Sequence, residues 1–109
     1  MKIFKKLIRD KMPEIMASHG QHLKTRTLIE AEFLPALENK LLEEVQELRT
    51  DPAENKFEKI AYIYEILAAL QKAMNISDAA LTAERASKLA ERGGFEKRVF
   101  LEGEQSQNI

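Results

Sequence analysis

The chain has no cysteine, and among its 109 residues there are only four glycines and three prolines. The lack of cysteine excludes a disulfide framework and thiolate chemistry, and it fits a cytoplasmic setting. So few glycines and prolines, beside 44% hydrophobic and 32% charged residues, exclude a low-complexity or disordered chain and favour a helical one. A long apolar run is also missing. The opening "MKIFKKLIRDKMPEIM" is interrupted by charge throughout, which leaves no signal peptide and no membrane span. Charge of one sign is lacking too. A formal net charge of −1 argues against a general nucleic-acid or membrane-surface binder. No nucleophilic Ser/His/Asp arrangement, internal repeat or low-complexity segment is evident.

What is present is helical periodicity. Asp10 offers an N-cap for a short helix "KMPEIMASH", in which Pro13 falls where N–H groups have no intrahelical partner. Gly20 suits the left-handed position that stops it. Residues 22–29, "HLKTRTLI", read equally as a short strand or a loop. A long helix is predicted from Glu30 to Thr50, with Leu34, Leu37, Leu41, Val45 and Leu48 on one stripe. Pro35 must sit in its first turn or kink it. Asp51 as N-cap and Pro52 at the first helical position start a third helix over 53–74. Asn75 ends it. Ser77 and Asp78 cap a fourth helix to about Glu91, and Gly93 and Gly94 stop that one before an ordered tail and a polar end.

Two long helices joined by a short turn must be antiparallel neighbours. The helix over 53–74 carries Phe57, Ile60, Ile63, Tyr64, Leu67, Leu70 and Met74 on a wide face, with alanines and Ile66 around much of the rest. One short chain has little with which to cover such a helix. The fold class expected is therefore all-α: a single domain over 1–103 with a polar tail at 104–109, its four-helix core completed by homo-oligomerisation, a dimer being favoured.

Polar residues with chemical potential concentrate in "LLEEVQEL". Glu44 and Glu47, at i and i+3, point together beside the apolar stripe, and Glu43 lies on the other side. Paired carboxylates repel unless a cation neutralises them, and hard oxygen ligands suit Mg²⁺. A solvated acidic face is the commoner origin of such spacing. Arg9, Asp10 and Lys11 form a charged knot at a helix start that suits a phosphate or an acidic side chain, although an ordinary capping turn with flanking salt bridges is the commoner origin of such a knot. His19 and His22 flank a glycine turn rather than sharing a helix face. "ERGGFEKR" lacks the GxxxxGK[ST] pattern of a phosphate loop.

Taken together and in order, "KLIRDKMPEIM", "LLEEVQEL", "FEKIAYIYEILAAL" and "ERGGFEKRVFLE" resemble the small MazG-like members of the all-α nucleoside triphosphate pyrophosphohydrolase superfamily, the phosphoribosyl-ATP pyrophosphohydrolase-like subgroup. The resemblance covers residues 3 to about 102. It implies a MazG-like helical bundle, usually dimeric, that uses Mg²⁺ to cleave between the α- and β-phosphates of a nucleotide, giving a monophosphate and pyrophosphate. Metal ions held by carboxylates neutralise the polyphosphate and align water for in-line attack.

The family pattern is ExxE on one helix and ExxD on the next. Glu44 and Glu47 match the first and would be metal ligands. Glu43 and Glu65 would orient water or support the metal, and Lys59, Arg9 and Lys11 would meet substrate phosphate. In the second motif Glu58, Ala61 and Glu65 match, whereas the two acids are replaced by Lys59 and Tyr62. A lysine repels Mg²⁺ and can pair with Glu44 or Glu47, and a neutral phenol is a poor Mg²⁺ ligand. Two readings follow. One is a Mg²⁺-dependent nucleotide pyrophosphohydrolase, weakened or silenced by the changed motif. The other is a non-catalytic dimeric relative that binds a nucleotide or a protein, with no membrane and no nucleic-acid polymer as partner.

Overall fold

The computed structural model describes residue 2 and residues 4–105. Among these there is no strand, and four helices follow one another: α1 (Met12–Ser18), α2 (Glu30–Thr50), α3 (Ala53–Ala73) and α4 (Asp78–Arg92). The protein is all-α. It divides into two compact units, Met1–Ile76 and Ser77–Ile109.

Within the first unit α2 and α3 pack together. The turn between them leaves room only for an antiparallel pair, and their cross-links run in opposite chain directions: Lys56 reaches Leu48, and Lys59 reaches Glu44 and Glu47. Leu37 on α2 and Ile66 on α3 are the buried apolar residues. Lys40 and Glu44 are buried beside them, only 8% and 4% exposed.

That burial moves the stripe expected on α2. Val45 is 45% exposed and does not face α3, whereas Lys40 and Glu44, between Leu37 and Leu48, do. Side chains three and four positions apart share a helix face, so the Leu37, Lys40, Leu41 and Glu44 set is an equally regular stripe with two charges in it. Such a face is stable only because its charges meet partners, as set out below.

The helix ends correct three expectations. Met12 donates its N–H to Arg9 across a turn that contains Asp10, so α1 begins after Lys11 and no side chain caps it. Asp51 closes α2, and Pro52 takes the N-cap position of α3. Proline has no N–H, and its ψ of 152° lets its carbonyl accept from Asn55. Pro35 lies inside α2, past the first turn. The group it leaves without an intrahelical donor is the carbonyl of Ala31, an exposed residue that water can reach.

Other end signals act as the sequence suggests. Gly20 has φ of +81°, and Gln21 returns its N–H to Met16 O. Asn75 has φ of +58° past the end of α3. The Ser77 hydroxyl accepts from Ala80 N–H at 3.1 Å. Gly93 has φ of +80° at the end of α4.

Residues 22–29 are irregular, and Arg26 from this loop clamps Glu32 in the first turn of α2 with two hydrogen bonds of 3.0 and 2.8 Å. Glu32 also accepts from Ile29 N–H, and the two donors lower its carboxyl to about 2.

In the second unit α4 buries no residue, and Phe95, Val99, Phe100 and Leu101 after it are exposed. The end of the polar tail, 106–109, lies outside the described residues. No described helix is long and apolar enough to cross a membrane.

Because Leu37 and Ile66 are buried apolar residues of α2 and α3, Leu37→Ala or Ile66→Ala should each cost about 2–5 kcal/mol in urea unfolding. Val45→Ala, by contrast, should cost under about 1 kcal/mol.

Candidate functional site

The antiparallel pairing brings the polar flank of α2, Glu43, Glu44 and Glu47, against Lys59 and Tyr62 of α3. Lys59 Nζ donates to Glu44 Oε2 at 2.6 Å and to Glu47 Oε2 at 2.9 Å. Lys40, one turn before Glu44, places its ammonium 3.3 Å from Glu44 Oε1 and 3.6 Å from Glu43 Oε2. Lys6, from the irregular segment before α1, lies 3.6 Å from Glu43 Oε1. Three ammonium groups thus meet three carboxylates.

Tyr62 closes the cluster with its ring. The Arg9 guanidinium stands 5.1 Å from the ring centroid, and the Lys40 and Lys59 ammonium groups each stand 5.7 Å from it. Cations over an aromatic face are attracted by its quadrupole. The ring therefore helps hold the positive charges that balance the acidic triad, and it ties the N-terminal segment to α3.

Electrostatics follow the geometry. Hydrogen bonds to Glu44 and then Glu47 raise the Lys59 pKa above the ordinary lysine range. Burial works against the charge on Glu44, but hydrogen bonds from Lys59 and Lys40 outweigh it and the carboxyl is lowered. Burial likewise opposes charge on Lys40, and Tyr62, Glu43 and Glu44 overcome it, leaving its pKa raised. No buried side-chain nitrogen or oxygen of the described residues lacks a hydrogen-bond partner.

Compared with protein-family models, curated proteins and solved structures, the chain matches none. The site must therefore be read from its own geometry.

Of the residues singled out from the sequence, Glu43, Glu44, Glu47, Lys59, Tyr62 and Arg9 come together. Glu65 and Lys11 are exposed, and neither has a hydrogen bond or ion pair to this cluster. Lys40 and Lys6 are members that motif reasoning passed over. The signal for Lys40 was present, because it stands three and four residues before Glu43 and Glu44 on one helix.

A divalent metal is tested directly by these distances. Oxygen atoms of Glu43, Glu44 and Glu47 do lie within 4.8 Å of one another. However, Mg²⁺ sits about 2.0–2.1 Å from its oxygen ligands, in the space that Lys59 Nζ fills between Glu44 and Glu47. An ion and an ammonium group cannot share that volume, and their like charges repel. The residues in this arrangement do not fit Mg²⁺. Beside them a groove of about 240 Å³ is lined by Asp51, Asn55, Glu58, Lys59 and Tyr62. That is below the roughly 300–1,000 Å³ usual for small-molecule sites.

The network sets a pH window. Glu44 holds its proton less tightly when folded, so its contribution is complete above the ordinary carboxylate range and is lost as pH falls through its lowered pKa. Lys59 holds its proton more tightly when folded, so its contribution is complete below the ordinary lysine range and is lost as pH rises through its raised pKa. From these two groups, thermal stability should be level between about pH 5 and pH 10. Lys59→Met leaves Glu44 buried without its shortest partner and should lose roughly 2–4 kcal/mol. Adding Glu44→Gln should recover part of that loss, as a double-mutant cycle by urea unfolding would read.

Proposed function

We propose that this chain is a non-catalytic, MazG-like helical binding module, in which an internal lysine takes the place of the catalytic metal. The observation that carries this reading is the Lys59 ammonium group, hydrogen-bonded at once to Glu44 and Glu47. A hydrolase of the kind its motifs resemble needs those carboxylates free for Mg²⁺. Here they are already neutralised, and the opposing helix supplies a cation and a phenol in place of two acids.

Binding of a protein fits better than binding of a nucleotide. Lys59, the cation best placed for a phosphate, is committed to carboxylates, Arg9 is held over Tyr62, and the adjoining groove is small. Meanwhile α3 exposes large apolar side chains, among them Phe57 and Tyr64. An aromatic, apolar helix face is the usual form of a protein-recognition surface.

A second reading, a weakened Mg²⁺-dependent pyrophosphohydrolase, draws on the closeness of the three carboxylates. The two readings separate in one experiment. Purified protein is incubated with a panel of nucleoside triphosphates and Mg²⁺ or Mn²⁺, and monophosphate and pyrophosphate release is followed alongside melting temperature. The binding-module reading expects no release at high protein concentration and no metal-dependent rise in melting temperature. Metal-dependent release that Glu44→Gln abolishes would establish the hydrolase. Lys59→Glu combined with Tyr62→Asp, which restores the acidic pattern, should create a metal-dependent rise in melting temperature absent from the parent.

A further inference from the structure

The segment before α1 holds positive charge that the acidic triad does not use. Residues 2–11 carry five lysines or arginines and one acid, a formal charge of +4 in a chain of −1, so the other residues together carry −5. Lys6 meets Glu43 at 3.6 Å. Among the described residues Lys2, Lys5, Arg9 and Lys11 form no ion pair within the chain, and all four are exposed. Neighbouring like charges repel across the roughly 8 Å over which physiological salt screens them, so such a run gains from an anion brought from outside.

A charged run is most often a solvated face. This one differs in two ways. Phe4, in its midst, is 60% exposed, and the ammonium groups of Lys2 and Lys6 stand 5.2 and 5.5 Å from its ring centroid. The ring thus draws like charges together around an apolar centre. Residues 4–9 also adopt no helix or strand, yet they are tied down. Lys6 joins them to α2, and the Arg9 guanidinium joins them to Tyr62 of α3, while Leu7 and Ile8 are half-buried. A surface fixed in advance loses little further freedom when a partner arrives.

We infer that residues 4–11, with Lys2, dock an acidic stretch of a protein partner, a run of Asp and Glu with an apolar side chain that meets Phe4. Charge and shape decide against other polyanions. A nucleic-acid duplex or an anionic lipid surface is broad, and it would meet the acidic remainder of the chain as well as this segment. A single strand of nucleic acid gains most from an aromatic face on which a base can stack, and here ammonium groups stand over the Phe4 ring. A short acidic peptide meets the basic run alone. The inference rests on the binding-module reading only in the class of partner, and it concerns a surface other than the outer face of α3.

The test is fluorescence anisotropy of a fluorescein-labelled oligoglutamate with two central leucines, about ten residues long to match the reach of the segment, titrated with the full chain. Circular dichroism confirms that each variant keeps its helix content. Binding is expected, and it should weaken at least about tenfold when salt is raised from about 50 to about 300 mM. Lys2→Glu combined with Lys5→Glu should also weaken it at least about tenfold, and Phe4→Ser about threefold or more. Lys24→Glu combined with Lys97→Glu alters the net charge equally at exposed positions outside the segment, and it should leave affinity within about twofold. Absence of binding overturns the inference, as does binding that Lys2→Glu with Lys5→Glu leaves intact. So does equal or tighter binding of an oligothymidine of similar length or of phosphatidylserine vesicles, because the partner class would then be another. Nucleotide hydrolysis by the chain would remove the non-catalytic reading and leave this result standing.

Discussion

One ammonium group organises the polar half of the α2–α3 pair. Lys59 reaches across from α3 to two carboxylates on α2, and without it Glu44 would be a buried charge with a single, longer-range partner. Burying a carboxylate in that way is costly. The rest of the arrangement follows from the need to balance it. Lys40 approaches from the same helix, Lys6 neutralises Glu43, and Tyr62 presents its ring to Arg9, Lys40 and Lys59. Few apolar side chains of the pair are buried, Leu37 on α2 and Ile66 on α3 among the described residues. The register of the pair is accordingly fixed by charge as much as by packing.

The same interaction bears on chemistry. A metal-dependent phosphoanhydride hydrolase keeps acidic side chains free to bind an ion that substrate and water then share. In this chain the positive charge is covalently part of the protein and cannot leave with product. What such a fixed charge does well is structural. It joins two helices without a metal, and α3 keeps apolar side chains exposed on its outer face, among them Phe57 and Tyr64.

Much of this was legible in the residues. The bounds of α2 follow from its apolar period, and the start of α4 from the Ser77 hydroxyl. Lys59 and Tyr62, standing where acids were expected, pointed to an ion pair with Glu44 or Glu47. The misses share a physical cause. Lys40 looks like a solvent-facing residue until Tyr62 arrives from another helix, because its burial is a tertiary effect. Val45 fits the apolar stripe by spacing, yet the face turned towards α3 is rotated to include the charges. Asp10 and Asp51 are good caps by type. The first lies in a turn closed by Arg9 and Met12, and the second is displaced by Pro52, whose backbone already has the N-cap conformation.

The central claim is that lysine, and not a metal, neutralises the acidic triad. It is tested most directly by a crystal structure grown in Mn²⁺, with data collected at the manganese absorption edge. The account predicts no anomalous density among Glu43, Glu44 and Glu47, with Lys59 Nζ within hydrogen-bonding distance of both Glu44 and Glu47. A manganese peak between those carboxylates, with Lys59 swung away from them, would contradict it.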